Sequence, residues 1–152
     1  MTDIDESDLK ILRILKQDSR TSVATIAEQV GMSTSTCWRR ISALEASGVI
    51  ERFTVNLDPE AMGLGFRAIV HIQLTRHDKE KIDTFFEAVR SKPEVQQCYA
   101  VTGQSDYHMI INCRDLNAYN HFLDNFLFQI QAVASAQTNL VLKTIKDQST
   151  GV

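Results

Sequence analysis

From Ser33 to Gly48 the chain reads Ser-Thr-Ser-Thr-Cys-Trp-Arg-Arg-Ile-Ser-Ala-Leu-Glu-Ala-Ser-Gly, which gathers hydroxyls, two guanidinium groups and an indole. Hydroxyls and guanidinium groups donate hydrogen bonds to phosphate oxygens, and arginine also matches the guanine edge in the major groove. The chemistry available is recognition rather than bond-making. Cys37, Ile41 and Leu44 recur at i, i+4 and i+7, one narrow apolar stripe of a helix. At about 100° per residue, Ser35, Arg39, Ser42 and Ala46 fall on the opposite side. Trp38 flanks the stripe on one edge, Thr36 and Arg40 on the other. Ser33 is placed to cap the first turn, and Gly48 to end the helix in the left-handed conformation. Such a helix suits a DNA groove, although the same pattern occurs on ordinary solvated helices. Trp38 has two readings, groove contact or packing against a neighbouring helix.

The elements around this helix favour the groove. Asp5 can cap a helix whose first turn carries Glu6 and Asp8, where negative charge suits the dipole. Its apolar face is Leu9, Ile11, Leu12, Ile14 and Leu15. Ser22 caps a second, shorter helix with Val23, Ile26, Ala27 and Val30 at helical spacing, and Gly31 ends it. Helix, short glycine turn, helix is the helix-turn-helix signature. Three such short helices need a shared core, for which Ile11, Leu12, Leu15, Ile26, Val30, Cys37, Ile41 and Leu44 are the candidates. Val49 to Leu57 alternates and predicts a strand, either a short wing or a tether. Asp58-Pro59 breaks that pattern, and Glu60 to Gly65 reads as a linker.

Phe66 to Thr75 alternates cleanly, as a half-buried strand does. Lys79 to Ser91 predicts a helix, Glu94 to Thr102 a strand, Gly103 to Asp106 a turn and Tyr107 to Cys113 a strand. Leu116 to Ile130 predicts a helix, and Ala134 to Lys146 a long last strand. The order β-α-β-β-α-β is the ferredoxin-like split unit, with helices on one face of an antiparallel sheet. Candidates for the bare face include Ile69, Tyr99 or Ala100, Ile110, Leu140 and Leu142, and such a face is expected to bury itself against another copy. The fold class is therefore α+β. A three-helix helix-turn-helix domain spans 1–52, a strand and linker 53–65, and a ferredoxin-like domain 66–152.

Composition bounds the rest. At 43% hydrophobic and 23% charged residues, a packed soluble protein is expected rather than disorder. The net charge of −3 opposes nucleic-acid binding through bulk charge. Within Ser33 to Arg52, Arg39, Arg40 and Arg52 oppose Glu45 and Glu51, an excess of one positive charge. Affinity must then come from more than one copy of the helix. No apolar run approaches the roughly 18 residues that span a bilayer, and Met1 to Asp8 is acidic without a signal-peptide core, so no membrane partner is expected. Cys37, Cys98 and Cys113 lie far apart in apolar contexts, as small buried hydrophobes of a reducing cytosol do, and a cytoplasmic location is expected. His71, His77, His108 and His121 show no metal-ligand spacing with them. No nucleophile–base pair or phosphate loop is present, so neither enzyme, metal site nor cofactor is expected.

Taken together, the features resemble the leucine-responsive regulatory protein and AsnC family of transcription regulators over nearly the whole length. They are Asp5 to Leu15, the Val30-Gly31-Met32-Ser33 turn, Cys37 followed by Arg40 and Leu44-Glu45, then Gly48-Val49-Ile50, Leu57-Asp58-Pro59, Gly63-Leu64-Gly65 and Thr102-Gly103-Gln104-Ser105-Asp106-Tyr107. The resemblance implies a DNA-binding front domain, an amino-acid effector bound at the rear domain, and dimers that assemble into octamers. Ser33, Ser35, Thr36, Trp38, Arg39 and Arg40 match the DNA-reading helix. Thr34 and Thr36 stand where the family often has prolines, and their hydroxyls add potential phosphate or base contacts. Gly103, Ser105 and Asp106 match the turn lining the effector pocket, which Ala100, Val101, Thr102, Thr138, Asn139 and Leu140 would line too. Asp106 can accept from an ammonium and a glycine turn can donate to a carboxylate; the alternative for Asp106 is local stabilisation of the turn.

Overall fold

The computed structural model of the protein describes residues 4–75 and 79–146; His77 lies outside them. The chain divides into two compact units, one running up to Asn56 and the other from Leu57 to Lys146.

The first unit is built from α1 (Glu6–Gln17), α2 (Val23–Val30) and α3 (Thr34–Ala46). Each begins where a short polar side chain meets a free backbone N–H. Asp5 accepts from Asp8 N at 2.9 Å while Asp8 accepts from Asp5 N at 3.2 Å, a reciprocal cap. Ser22 accepts from Thr25 N at 3.1 Å. Gly31 turns the chain at φ +78°, the left-handed geometry that lets α2 stop and α3 start three residues later. The core is Ile11, Ile26, Ala27, Cys37 and Ile41, with Leu44 also buried. Leu15 and Val30 only pack against it and Leu12 is partly buried, so the core is narrower than the periodicity predicts. Ala27, outside the predicted core set, is 2% exposed.

Val49 to Leu57 is a correction: no strand forms there. Phe53, Val55 and Leu57 are 51%, 68% and 59% exposed. Alternation selects residues suited to a strand, but a ladder also needs a neighbouring strand, and among the described residues none pairs with this segment.

The second unit follows the expected order. Its elements are β1 (Phe66–Leu74), α4 (Lys79–Ser91), β2 (Val95–Ala100), β3 (Tyr107–Cys113), α5 (Leu116–Asn125), a single 3-10 turn (Leu127–Gln129) and β4 (Val133–Leu140). The sheet runs β2-β3-β1-β4, every pair antiparallel. Ala68, Val70, Ile72 and Leu74 pack under Phe85, Val89, Tyr119 and Phe122 of the two helices. Three predicted bounds change. The last helix stops at Asn125, because Phe126 at φ −132°, ψ −69° leaves the helical region. Strand β2 keeps only Val95–Ala100 of the predicted Glu94 to Thr102. Strand β4 ends at Leu140, the partner of Ala68 near the start of β1; Leu142 and Ile145 beyond it are 89% and 84% exposed.

Register also assigns the two faces. Side chains directly opposite on paired strands share a face. Leu140 opposes Ala68 and Ala100 opposes Tyr107, so both lie on the helix side rather than the bare side. The bare face carries Ile69, Ile110, Tyr99, His71 and His108. The two imidazoles meet edge-on at 4.2 Å between centroids.

All three thiols are free, with Cys37 and Cys113 buried and Cys98 partly so. Burial raises each of them, and Cys113, also facing Glu94 and Asp115, is pushed up to about 11. A thiol that ionises near 9 when unfolded and near 11 when folded leaves stability intact below pH 9 and withdraws it between pH 9 and 11. The loss is at most about 2 to 3 kcal/mol for a shift of this size. Urea denaturation from pH 8 to 11 should show this decline, and Cys113→Ala should flatten it.

Candidate nucleic-acid interface and effector site

Helix α3 buries Cys37, Ile41 and Leu44 and turns its other side outward, as its apolar stripe requires. At its start Ser33 Oγ accepts from Thr36 N at 3.3 Å, donates to Thr36 Oγ1 at 2.8 Å and lies 3.2 Å from Ser35 Oγ. The N-terminal turn is a cluster of hydroxyls beside the positive end of the helix dipole, a setting that favours an anion. Thr34, Ser35, Trp38 and Arg39 are exposed, and Thr36 is partly buried. Trp38, at 62% exposed, is not packed away against a neighbouring helix.

Arg40 is different. Its Nη1 lies 2.8 Å from Asp5 Oδ2 and 2.8 Å from Asp8 Oδ1, which ties α3 to the N-terminal cap of α1. Asp8 is 8% exposed. The N–H of Asp8, and behind it the Arg40 guanidinium, hold the Asp5 carboxyl below the usual carboxylate range. The two arginines sit side by side in sequence, yet Arg40 spends its charge inside the unit and Arg39 forms no ion pair among the described residues.

In the second unit, Gly103 takes φ +126° between β2 and β3. Asp106 is bonded to the sheet on three sides. Its Oδ2 accepts from Leu74 N at 2.8 Å, its N–H donates to Ile72 O at 2.9 Å, and its carbonyl accepts from Val101 N at 3.0 Å. The pairing of β1 with β4 shifts at Gln73/Leu74, and Asp106 occupies the N–H beside that shift. Gln73 Nε2 donates to Gln104 O at 2.6 Å, and Ser135 Oγ donates to Gln73 Oε1 at 2.9 Å, so the turn is also tied towards β4. Thr102 is exposed and Ser105 half-buried.

The remaining sequence-selected residues do not converge on this turn. Thr138, opposite Val70, points to the helix side, 2.5 Å from Tyr119 Oη. Asn139 lies on the bare face with its Nδ2 2.9 Å from His71 Nε2. Leu140 is on the helix side at the edge. Ala100 is on β2, and β2 and β4 are opposite edges of a four-stranded sheet, about 14 Å apart at the usual strand spacing. A small ligand cannot touch both sets within one protomer.

Ala100 does line a cleft of about 430 Å³ between α4 and β2, together with Phe86, Val89, Arg90, Cys98 and Tyr107. Arg90 and Tyr107 bring a cation and a hydroxyl to a mixed wall that Gln96 and Gln97 also line, and burial pushes the Tyr107 phenol up. Sequence reading quoted Tyr107 as the end of the Thr102 to Tyr107 motif and selected neither residue for a site. Arg90 reads as a helix-end cation and Tyr107 as an ordinary strand residue, and only the docking of α4 on β2 puts them together.

Two family models cover almost the whole chain. One, described as winged helix-turn-helix DNA-binding, matches residues 4–51; the other, the Lrp/AsnC ligand binding domain, matches residues 67–150. The chain is a member of the Lrp/AsnC family. It is 34% identical to the transcriptional regulator AzlB of Bacillus subtilis, covering 94% of this chain and 91% of that one. The DNA-binding transcriptional activator DecR of Escherichia coli is 31% identical over 94% of each chain. A transcriptional regulator from Neisseria meningitidis, solved in complex with L-Met, superposes with a TM-score of 0.93 at 34% identity, covering 97% of this chain and 95% of that one. Escherichia coli AsnC superposes at 0.89 with 26% identity, covering 97% of each. This Lrp/AsnC protein is a transcriptional regulator with a DNA-binding helix-turn-helix and a ligand-binding domain, not an enzyme. No described helix is long and apolar enough to cross a membrane.

Proposed function

We propose that α3 is the groove-entering helix of this regulator and that an amino acid bound to the second unit biases its assembly. The carrying observation is the division of α3, with Cys37, Ile41 and Leu44 buried and Ser35, Trp38 and Arg39 exposed inside the matched DNA-binding segment. Ser33 to Thr36 offer hydroxyls to phosphates, Arg39 reads a base edge or phosphate, and Arg40 positions the helix. Residues 1–52 act as the DNA-binding domain, 53–65 as the connection and 66–152 as the effector and assembly domain, in the cytoplasm.

One neutral surface is not enough for tight DNA binding, so the protein works as a dimer at least. Copies pair through the bare sheet face around Ile69, Ile110 and Tyr99, and pairs assemble further, into an octamer. Two α3 helices then reach major grooves about 34 Å apart or a multiple of that. The effector site draws on the Gly103 to Asp106 turn of one copy and needs another copy to close, since Ala100 and Thr138 to Leu140 are too far apart within one. The L-Met complex of the Neisseria meningitidis relative supports an amino acid as the ligand class. An effector changes DNA binding only if it binds one assembly more tightly than another.

A thermal-shift series against the twenty amino acids tests the effector half. One or a few should raise the melting temperature in a concentration-dependent way, as added stability of about 2.7 kcal/mol at a hundredfold excess over Kd requires. A flat response to all twenty would leave the protein an architectural DNA binder with no amino-acid effector.

A further inference from the structure

Among the described residues, Trp38 is the one large apolar side chain exposed on α1, α2 and α3. No ring or cation stacks on its indole there. It projects from the second turn of α3, one helical turn from Ser35 and Ser42 and next to Arg39. An indole left in water beside two hydroxyls and a guanidinium leaves a large apolar surface unburied in the free protein. The unit also has little charge to bind with: from Ile4 to Arg52, seven lysine and arginine side chains face seven carboxylates. Since Arg40 is already paired with Asp5 and Asp8, the phosphate term is smaller still. Contacts to base edges must then carry a larger share of the affinity.

The base edges of the major groove present donors, acceptors and one apolar group, the 5-methyl of thymine. We infer that Trp38 covers a thymine 5-methyl in each half-site, which makes an A·T pair at that position a determinant of operator choice. The inference rests on α3 being the groove helix and deepens that reading. Ser35 and Arg39 fix the register through polar contacts, and the indole reports whether the neighbouring pair carries the methyl. Stacking of the indole on a deoxyribose would also bury it, but would be blind to the base.

The test uses the full-length protein and duplexes selected by it from a random library. The selected consensus should hold a thymine in each half-site. Replacing that thymine by uracil removes only the methyl, and should weaken binding about fourfold per half-site and about fifteenfold for a two-half-site duplex. Trp38→Ala should bind the thymine and uracil duplexes within about twofold of each other. Trp38→Phe, which keeps an aromatic surface, should retain part of the difference, and thermal melting of both variants verifies folding. Trp38 is the only tryptophan in the chain, so its emission should shift to shorter wavelength on the thymine duplex and less on the uracil one.

Three results overturn the inference: a consensus without thymine, equal binding of both duplexes by the wild type, or a methyl effect that survives in Trp38→Ala. If Arg39→Ala still abolishes binding in those cases, α3 remains the groove helix and only the role of Trp38 is wrong. If neither Arg39→Ala nor Trp38→Ala changes affinity, the reading of α3 fails as well.

Discussion

Arg39→Ala should weaken operator binding at least about tenfold per half-site with the melting temperature unchanged, whereas Arg40→Ala should lower both. The two side chains are chemically identical neighbours, and the difference lies in what each touches. Arg39 is exposed and contributes little to folding, so its removal is silent until DNA is present. Arg40 holds the carboxylates of Asp5 and Asp8 at 2.8 Å. Asp8 is almost fully covered, and among the described residues its carboxylate is left with the Asp5 N–H once the guanidinium is gone. Leaving a covered charged group short of a partner costs about 1 to 2 kcal/mol after allowing for the partial exposure of Arg40. The loss falls on the junction of α3 with α1, so α3 loses its anchor, and DNA affinity should follow if α3 enters the groove as proposed. Denaturation and footprinting on the same two variants read this. A footprint unchanged by Arg39→Ala rejects the groove assignment, and an Arg40→Ala variant as stable as wild type rejects its role as a tie between helices.

Phe85→Ala should cost about 3 to 5 kcal/mol, the largest effect expected of a single substitution here. Phe85 is fully buried on α4, with its ring 5.8 Å from that of Phe86 and 5.3 Å from that of Tyr107. It fills the space between α4 and the centre of the sheet, where Val70, Ile72 and Met109 are also fully buried. A domain with a typical stability of about 5 to 15 kcal/mol has little left after such a loss. The two units have separate cores, so the damage should stay in the second one. Native-state amide exchange distinguishes the cases: β1 and β3 should lose protection while α1 to α3 keep theirs. Loss of protection throughout would mean that the units fold as one cooperative block. DNA binding should fall even with α3 intact if copies join through the second unit, as proposed above.

Local chemistry accounts for how much was legible without coordinates. The caps at Asp5, Ser22 and Ser33, the glycine stop at Gly31, the stripe of Cys37, Ile41 and Leu44 and the alternation of β1 all depend on neighbours within four or five residues. Each can be read from spacing alone, and together they imply both domain types and the exposed face of α3. The structure overrode sequence reading wherever the deciding partner was distant. Val49 to Leu57 has the alternation of a strand and no ladder to join. Strand β4 stops at Leu140, opposite Ala68 and two residues short of the start of β1.

Sequence by itself therefore determined the helix-turn-helix, the βαββαβ order and the family. Only the tertiary structure decided that Arg40 belongs to Asp5 and Asp8, that Asp106 is spent on Leu74 N, and that Arg90 and Tyr107 share a cleft with Ala100. Turn and helix signals are short-range and repeat with a fixed period, whereas these pairings join residues on different elements, 32 positions apart for Arg40 with Asp8 and for Leu74 with Asp106. Which of them forms depends on how sheet and helices dock, and no local pattern carries that information.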